Sequence, residues 1–282
     1  MKTYRLPLLL IIFAFAFASS ALAQSAQTLW VPARYSDEVA VIDTYADQVV
    51  TQIAVGDFPI RIAITPDLSK AFISNGSSSS VSVLDTMTRT NIATIPVYRR
   101  PGELEVTPDG GRLFVLHQTN LGERCPVAVI DTATNQLINT VLIPGQGDKD
   151  ILFTLDGRFA YVANPSAGEV DVIDTTTLTV IATIPTGHLC QRVVITHDGT
   201  KAFVQNGFSD TVSAIDTATH TVIATLPVGH HPWAILGSPD DLKLYVCNAT
   251  DTTVSVIDIP SLTVSHTITG VGSSPFDLKF GP

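Results

Sequence analysis

An apolar strand that ends in aspartate recurs six times along this chain: VAVID at Asp43, VSVLD at Asp85, VAVID at Asp131, VDVID at Asp174, VSAID at Asp216 and VSVID at Asp258. The intervals between these aspartates are 42, 46, 43, 42 and 42 residues. A period of this length restricts the fold to arrays in which each unit buries its faces against its neighbours. Within the unit that begins at Arg61, four short stretches alternate apolar and polar residues: RIAIT, KAFISN, SVSVLDT and NIATIPV, here termed strands A to D. Such alternation is that of half-buried antiparallel strands, and Pro66-Asp67 and Gly76-Ser77 supply turns between them. Four strands in one period predict a propeller blade.

The first and last units are incomplete in a complementary way. TLWVPARY, EVAVIDT and VVTQIAV read as strands B, C and D without an A, whereas SSPFDLKFGP (273–282) aligns with GDFPIRIAIT and reads as an A without a B. Five whole blades and this composite predict an all-β, six-bladed β-propeller with four antiparallel strands per blade. Its ring is expected to close where the C-terminal strand joins the N-terminal three, since closure removes exposed sheet edges.

Residues 1–23 read as a cleaved signal peptide: Lys2 and Arg5, the apolar run LLLIIFAFAFA, then SSALA before Gln24. The apolar run is too short for a membrane span, so residues 24–282 are expected to be a single exported propeller domain, periplasmic or extracellular and not embedded in a membrane. Loss of the leader leaves 14 Lys+Arg against 26 Asp+Glu, a formal charge of −12. That balance, with no basic run longer than Arg99-Arg100, argues against nucleic acid as a partner.

FAYVANPSAGEVDVIDTTTLTVIATIPTG (159–187) and KLYVCNATDTTVSVIDIPSLTV (243–264) resemble the YVTN-family β-propeller repeat. Tyr161-Val162-Ala163-Asn164 and Tyr245-Val246-Cys247-Asn248 stand at its name-giving tetrapeptide, and the likeness extends over the mature chain. The resemblance implies a propeller in an exported setting and no particular chemistry, because related propellers serve as enzymes, electron-transfer scaffolds and binding platforms.

The repeat provides an internal control. A residue type found at one position of every blade is explained by what blades share, which assigns structural turn roles to the six aspartates ending strand C and to Asp67, Asp109, Asp156, Asp198 and Asp240 of the A–B turns. Function is sought where blades differ on one face, that of the D–A and B–C connections. At one height of the inner strands the chain places Arg61, Glu103, Asp150, Arg192, Ala234 and Asp277. Two readings of this ring stand side by side: a polar funnel that orients a ligand, and a solvated channel mouth whose charges pair with one another. Trp233 belongs to the same face, where it either stacks on a ligand or caps the gap between blades. His188 and His230 occupy equivalent loop positions and form a weak candidate metal pair that lacks a third ligand at suitable spacing. Cys125, in the one enlarged B–C loop, and Cys190, in a D–A loop, are a possible disulfide; Cys247 reads as a buried strand residue.

The leading functional expectation is a binding scaffold that engages a protein, glycan or small ligand through the loop face and channel mouth, with no cofactor. The alternative is a propeller-type hydrolase or lactonase in which Glu103, Asp150 or His188 acts as general base and Arg61 or Arg192 stabilises an oxyanion. Covalent haem is disfavoured by the absence of CxxCH. The oligomeric state is left open.

Overall fold

Each period folds as its alternation predicts. A computed structural model describes residues 28–120, 123–144 and 150–280; the leader read in residues 1–23 lies outside the described residues. The described strands form five four-stranded antiparallel sheets and one three-stranded sheet, each made of strands consecutive in the chain, and no helix is present among the described residues. These are the six blades. Blade 1 contains only strands B (Thr28–Ala33), C (Glu38–Asp43) and D (Gln48–Ala54), whereas blade 2 contains A (Pro59–Ile64), B (Lys70–Asn75), C (Ser80–Asp85) and D (Thr90–Pro96). Every C–D pairing carries a register shift at the same place, as between Val83 and Leu84 or Val172 and Ile173. A bulge repeated in this way increases the twist of each sheet toward its outer edge.

The core is divided into slabs between consecutive blades. One slab joins Phe72, Val81 and Val83 of blade 2 to Leu113, Val115 and Ile130 of blade 3, and the blade 3–4, 4–5 and 5–6 joints repeat the arrangement. The third residue of strand B is aromatic in all six blades. Phe72, Phe114, Tyr161 and Phe203 are fully buried there, each contributing about 1.5–3 kcal/mol from burial.

Conserved turns of the repeat account for the recurrent carboxylates. Asp85 Oδ1 accepts the Thr88 N–H at 2.7 Å and Asp131 Oδ1 accepts that of Thr134 at 2.7 Å. In the A–B turns, Asp109 Oδ1 takes the Thr107 hydroxyl at 2.6 Å and the Gly111 N–H at 2.9 Å. These bonds hold the carboxyls below their usual range.

Residues 273–280 leave blade 6 through the turn used elsewhere to enter strand A. Ser274 has φ 52°, matching Phe58 (59°), Leu189 (58°) and His231 (54°) at equivalent positions. The segment then packs on blade 6: Leu278 lies against Ala234, Cys247 and Val254, and Phe280 stands edge-on to Tyr245 with ring centroids 5.8 Å apart. It thereby lies along the face of blade 6 where an inner strand belongs, but the expected pairing with strand B of blade 1 is not seen among the described residues. On that strand, Leu29 and Val31 are 53% and 38% exposed, where their counterparts Ala71 and Ile73 in blade 2 are fully buried.

Candidate functional site

Strand A runs innermost in blades 2 to 6, so its side chains converge from different blades on the channel mouth. The loops above it are latched. The Phe58 N–H donates to Asp37 Oδ1 at 2.8 Å and the His231 N–H to Asp210 Oδ1 at 2.8 Å, each tying a D–A turn to the B–C loop of the preceding blade.

The structure brings together the ring read from the sequence. Arg61, Glu103, Asp150, Arg192 and Trp233, from five different blades, line one concave mouth of about 520 Å³ with Gln191, Val193 and Ile235. Arg61 Nε donates to Glu103 Oε2 at 2.8 Å, and Arg192 Nη1 stands 3.4 Å from Asp277 Oδ1, so Asp277 reaches the mouth through Arg192. Ala234, at the ring position of blade 6, is buried. Asp150 is held in place by the Val193 N–H, which donates to its Oδ2 at 3.1 Å. Burial pushes its carboxyl up to about 6, opposed by that hydrogen bond, with Glu103 adding repulsion and Arg192 attraction.

One member of the site was missed in the sequence. Glu105 lies two residues beyond Glu103 on strand A of blade 3 (Pro101–Val106), where blades 2, 4, 5 and 6 carry Ala63, Leu152, Val194 and Leu236 and the C-terminal segment carries Lys279. Burial raises it to about 7, reinforced by Glu103 and Asp150. The comparison across blades that picked out the upper ring would have found it one pleat deeper, as the one acid at a position that four blades keep apolar.

Trp233 belongs to an aromatic wall. Its ring lies 4.8 Å from that of Phe276 at 31° and 5.3 Å from that of His231, which in turn contacts Phe208. Gln205 Nε2 donates to the Trp233 carbonyl at 2.6 Å, fixing the wall's backbone. Trp233 packs against Phe276 of the C-terminal segment and also lines the mouth.

His188 and His230 lie on exposed loops of this face. The His188 N–H donates to Ser209 Oγ, and His230 Nδ1 is 2.9 Å from Asp251 Oδ1. Among the described residues no three His, Cys, Asp or Glu side chains form a group suited to a metal ion.

No disulfide joins Cys125 and Cys190; all three cysteines are buried as thiols. Cys125 packs in the slab between blades 3 and 4, and Cys190 in the slab between blades 4 and 5, so the sheet of blade 4 separates them. The Cys125 thiol donates to the His117 carbonyl at 2.9 Å and that of Cys190 to the Asn164 carbonyl at 3.2 Å. Shared loop face was a poor guide because both side chains turn inward to the core.

Sheets arranged around such a mouth define the class as β-propeller. A family model described as YNCE-like beta-propeller matches residues 198–282. Among solved structures the chain is similar to Kuenenia stuttgartiensis hydrazine synthase, with 21% identity, a TM-score of 0.67, and 89% of this chain and 85% of that chain covered. No curated protein matches the chain. The structural likeness extends to the fold alone.

Proposed function

We propose that the protein is an exported binding module that takes a small polar ligand, or a polar side chain of a partner, in the channel mouth. The observation that carries this reading is the convergence of Arg61, Glu103, Asp150, Arg192 and Trp233 from separate blades on one cavity. Donors, acceptors and an aromatic ring around one concavity are what orient a polar ligand. A glycan unit fits this mixture of planar polar groups and an aromatic wall. Export rests on the leader-like residues 1–23 and on the YVTN-like repeats. The test is a thermal-shift screen of residues 24–282 against sugars, peptides and lactones, because a ligand bound only to the folded state raises its melting temperature. A hit from the sugar or peptide panel that disappears in Arg192→Ala supports the reading; a hit indifferent to Arg61→Ala and Arg192→Ala refutes it.

A second reading, hydrolysis of a lactone or ester at the same mouth, draws on the raised carboxyls of Asp150 and Glu105. A carboxylate with a near-neutral pKa is suited to general-base catalysis. Asp150, beside the Arg192 guanidinium, would activate water. Turnover of a lactone panel that is lost in Asp150→Asn supports this reading, and equal turnover in that variant excludes it.

A further inference from the structure

The aromatic wall beside the mouth begins at a residue that departs from the repeat. Phe208 sits two residues beyond Asn206, the buried asparagine that ends strand B of blade 5, at a place held by Ser77, Ser166 and Thr250 in blades 2, 4 and 6 and by Tyr35 in blade 1. Its ring is 70% exposed. The loop beneath it is nevertheless fixed. The Phe208 N–H donates to the His188 carbonyl at 3.1 Å, Ser209 Oγ accepts the His188 N–H at 2.9 Å, and Asp210 Oδ1 accepts the His231 N–H. A ring held open to water on a fixed backbone loses little freedom when a ligand covers it.

From this loop the rings run to the channel without a break. Phe208, His231, Trp233 and Phe276 follow one another at centroid separations of 5.5, 5.3 and 4.8 Å. Trp233 lines the mouth, and Phe276 at the far end is 58% exposed. The polar cavity that this row enters has its charges matched within the protein: Arg61 is paired with Glu103 and Arg192 with Asp277, while burial moves Asp150 and Glu105 toward their neutral forms. An ion entering such a mouth would give up hydration without an opposite charge set aside for it, whereas an apolar ligand would leave the polar groups unpaired. A neutral, hydroxyl-rich molecule meets neither penalty.

We propose that the mouth receives one end of a neutral glycan of β-linked hexopyranose units, whose chain leaves along Trp233 and His231 and ends against Phe208. The inference rests on the channel-mouth reading and names the ligand class for it. A hexopyranose with equatorial substituents has flat faces of C–H bonds, which lie well against the electron-rich faces of aromatic rings. Its hydroxyls project from the edges, where Gln191, Arg192 and Asp277 offer donors and acceptors.

Calorimetric titration of residues 24–282 with cellobiose, cellotetraose, chitobiose and chitotetraose tests it. The expected result is saturable binding in one series, with the tetrasaccharide at least about tenfold tighter than the disaccharide. Phe208→Ser should remove that gain and leave the disaccharide unchanged; the variant should fold, since serine is the native residue at the equivalent positions 77 and 166. Tyr35→Ser, at the equivalent loop position of blade 1, where the ring stands edge-on to Phe58 outside the row, should change neither affinity. Arg192→Ala should weaken both lengths alike. Equal affinities for the two lengths, or a tetrasaccharide indifferent to Phe208→Ser, overturn the proposal, and the mouth reading survives them if the disaccharide is still lost in Arg192→Ala. Absence of millimolar binding in both series overturns the proposal as well, and the mouth reading then turns on whether the peptide panel gives a hit that Arg192→Ala removes.

Discussion

Arg61 Nε meets Glu103 Oε2 at 2.8 Å across the joint between blades 2 and 3, tying two inner strands together at the lip of the channel. The arginine side chain is 54% exposed and the glutamate 31%, so water screens the pair. Arg61→Ala is therefore expected to cost less than about 1 kcal/mol in urea unfolding. It should nevertheless weaken any ligand of the mouth. A stability loss of several kcal/mol would show that the pair is structural.

Glu105 predicts a pH dependence of stability. Its folded-state pKa, about 7, lies above its ordinary value of 4.5, so the folded protein holds a proton there that the unfolded chain releases. Its contribution is fully present below pH 4.5 and is lost as pH rises through 7. Glu105→Gln should be more stable than the parent at pH 8, by on the order of 1–2 kcal/mol after allowance for its solvent-facing edge, and should show little difference at pH 4. Urea unfolding at the two pH values measures this, and equal differences at both would place the effect elsewhere.

The cysteines make a redox prediction. With all three cysteines buried as thiols, the denatured protein should titrate three thiols with Ellman's reagent and the native protein close to none. Its melting temperature should not change with reductant. A single titratable thiol would establish a disulfide.

Gly229 is required by a close approach. A Cβ there would lie 2.6 Å from Asn248 Cγ, and Asn248 is fully buried with its Nδ2 donating to Thr253 Oγ1 and Ser255 Oγ at 2.9 Å each. Gly229→Ala should cost about 1–3 kcal/mol by overpacking. Gly102→Ala serves as the control: its nearest atom beyond the adjacent residues is the Leu116 carbonyl oxygen at 3.9 Å, and its melting temperature should stay near that of the parent.

Removal of residues 273–282 should lower the melting temperature, because Leu278 and Phe280 would no longer cover Cys247 and Tyr245. Differential scanning calorimetry of the shortened chain gives the answer, and an unchanged transition would mean that the segment contributes nothing to blade 6.

The blades were legible because one hydrophobic alternation is written six times, and a strand's faces follow from parity alone. The upper ring was legible for a related reason: Arg61, Glu103, Asp150 and Arg192 depart from one another at a position set by the period. Glu105 obeys the same logic but was hidden. It becomes unusual only once burial and its neighbours Glu103 and Asp150 are known. The cysteines misled because a shared face does not fix which way a side chain turns, and the sheet of blade 4 stands between them.

Leu29 and Val31, exposed on blade 1, bear on how the molecule comes apart. In an array of sheets each unit is steadied by the joints it shares with its neighbours. Strand B of blade 1, where two apolar side chains that blade 2 buries face solvent, is expected to exchange its amide hydrogens sooner than blades 3 and 4, which are packed on both sides.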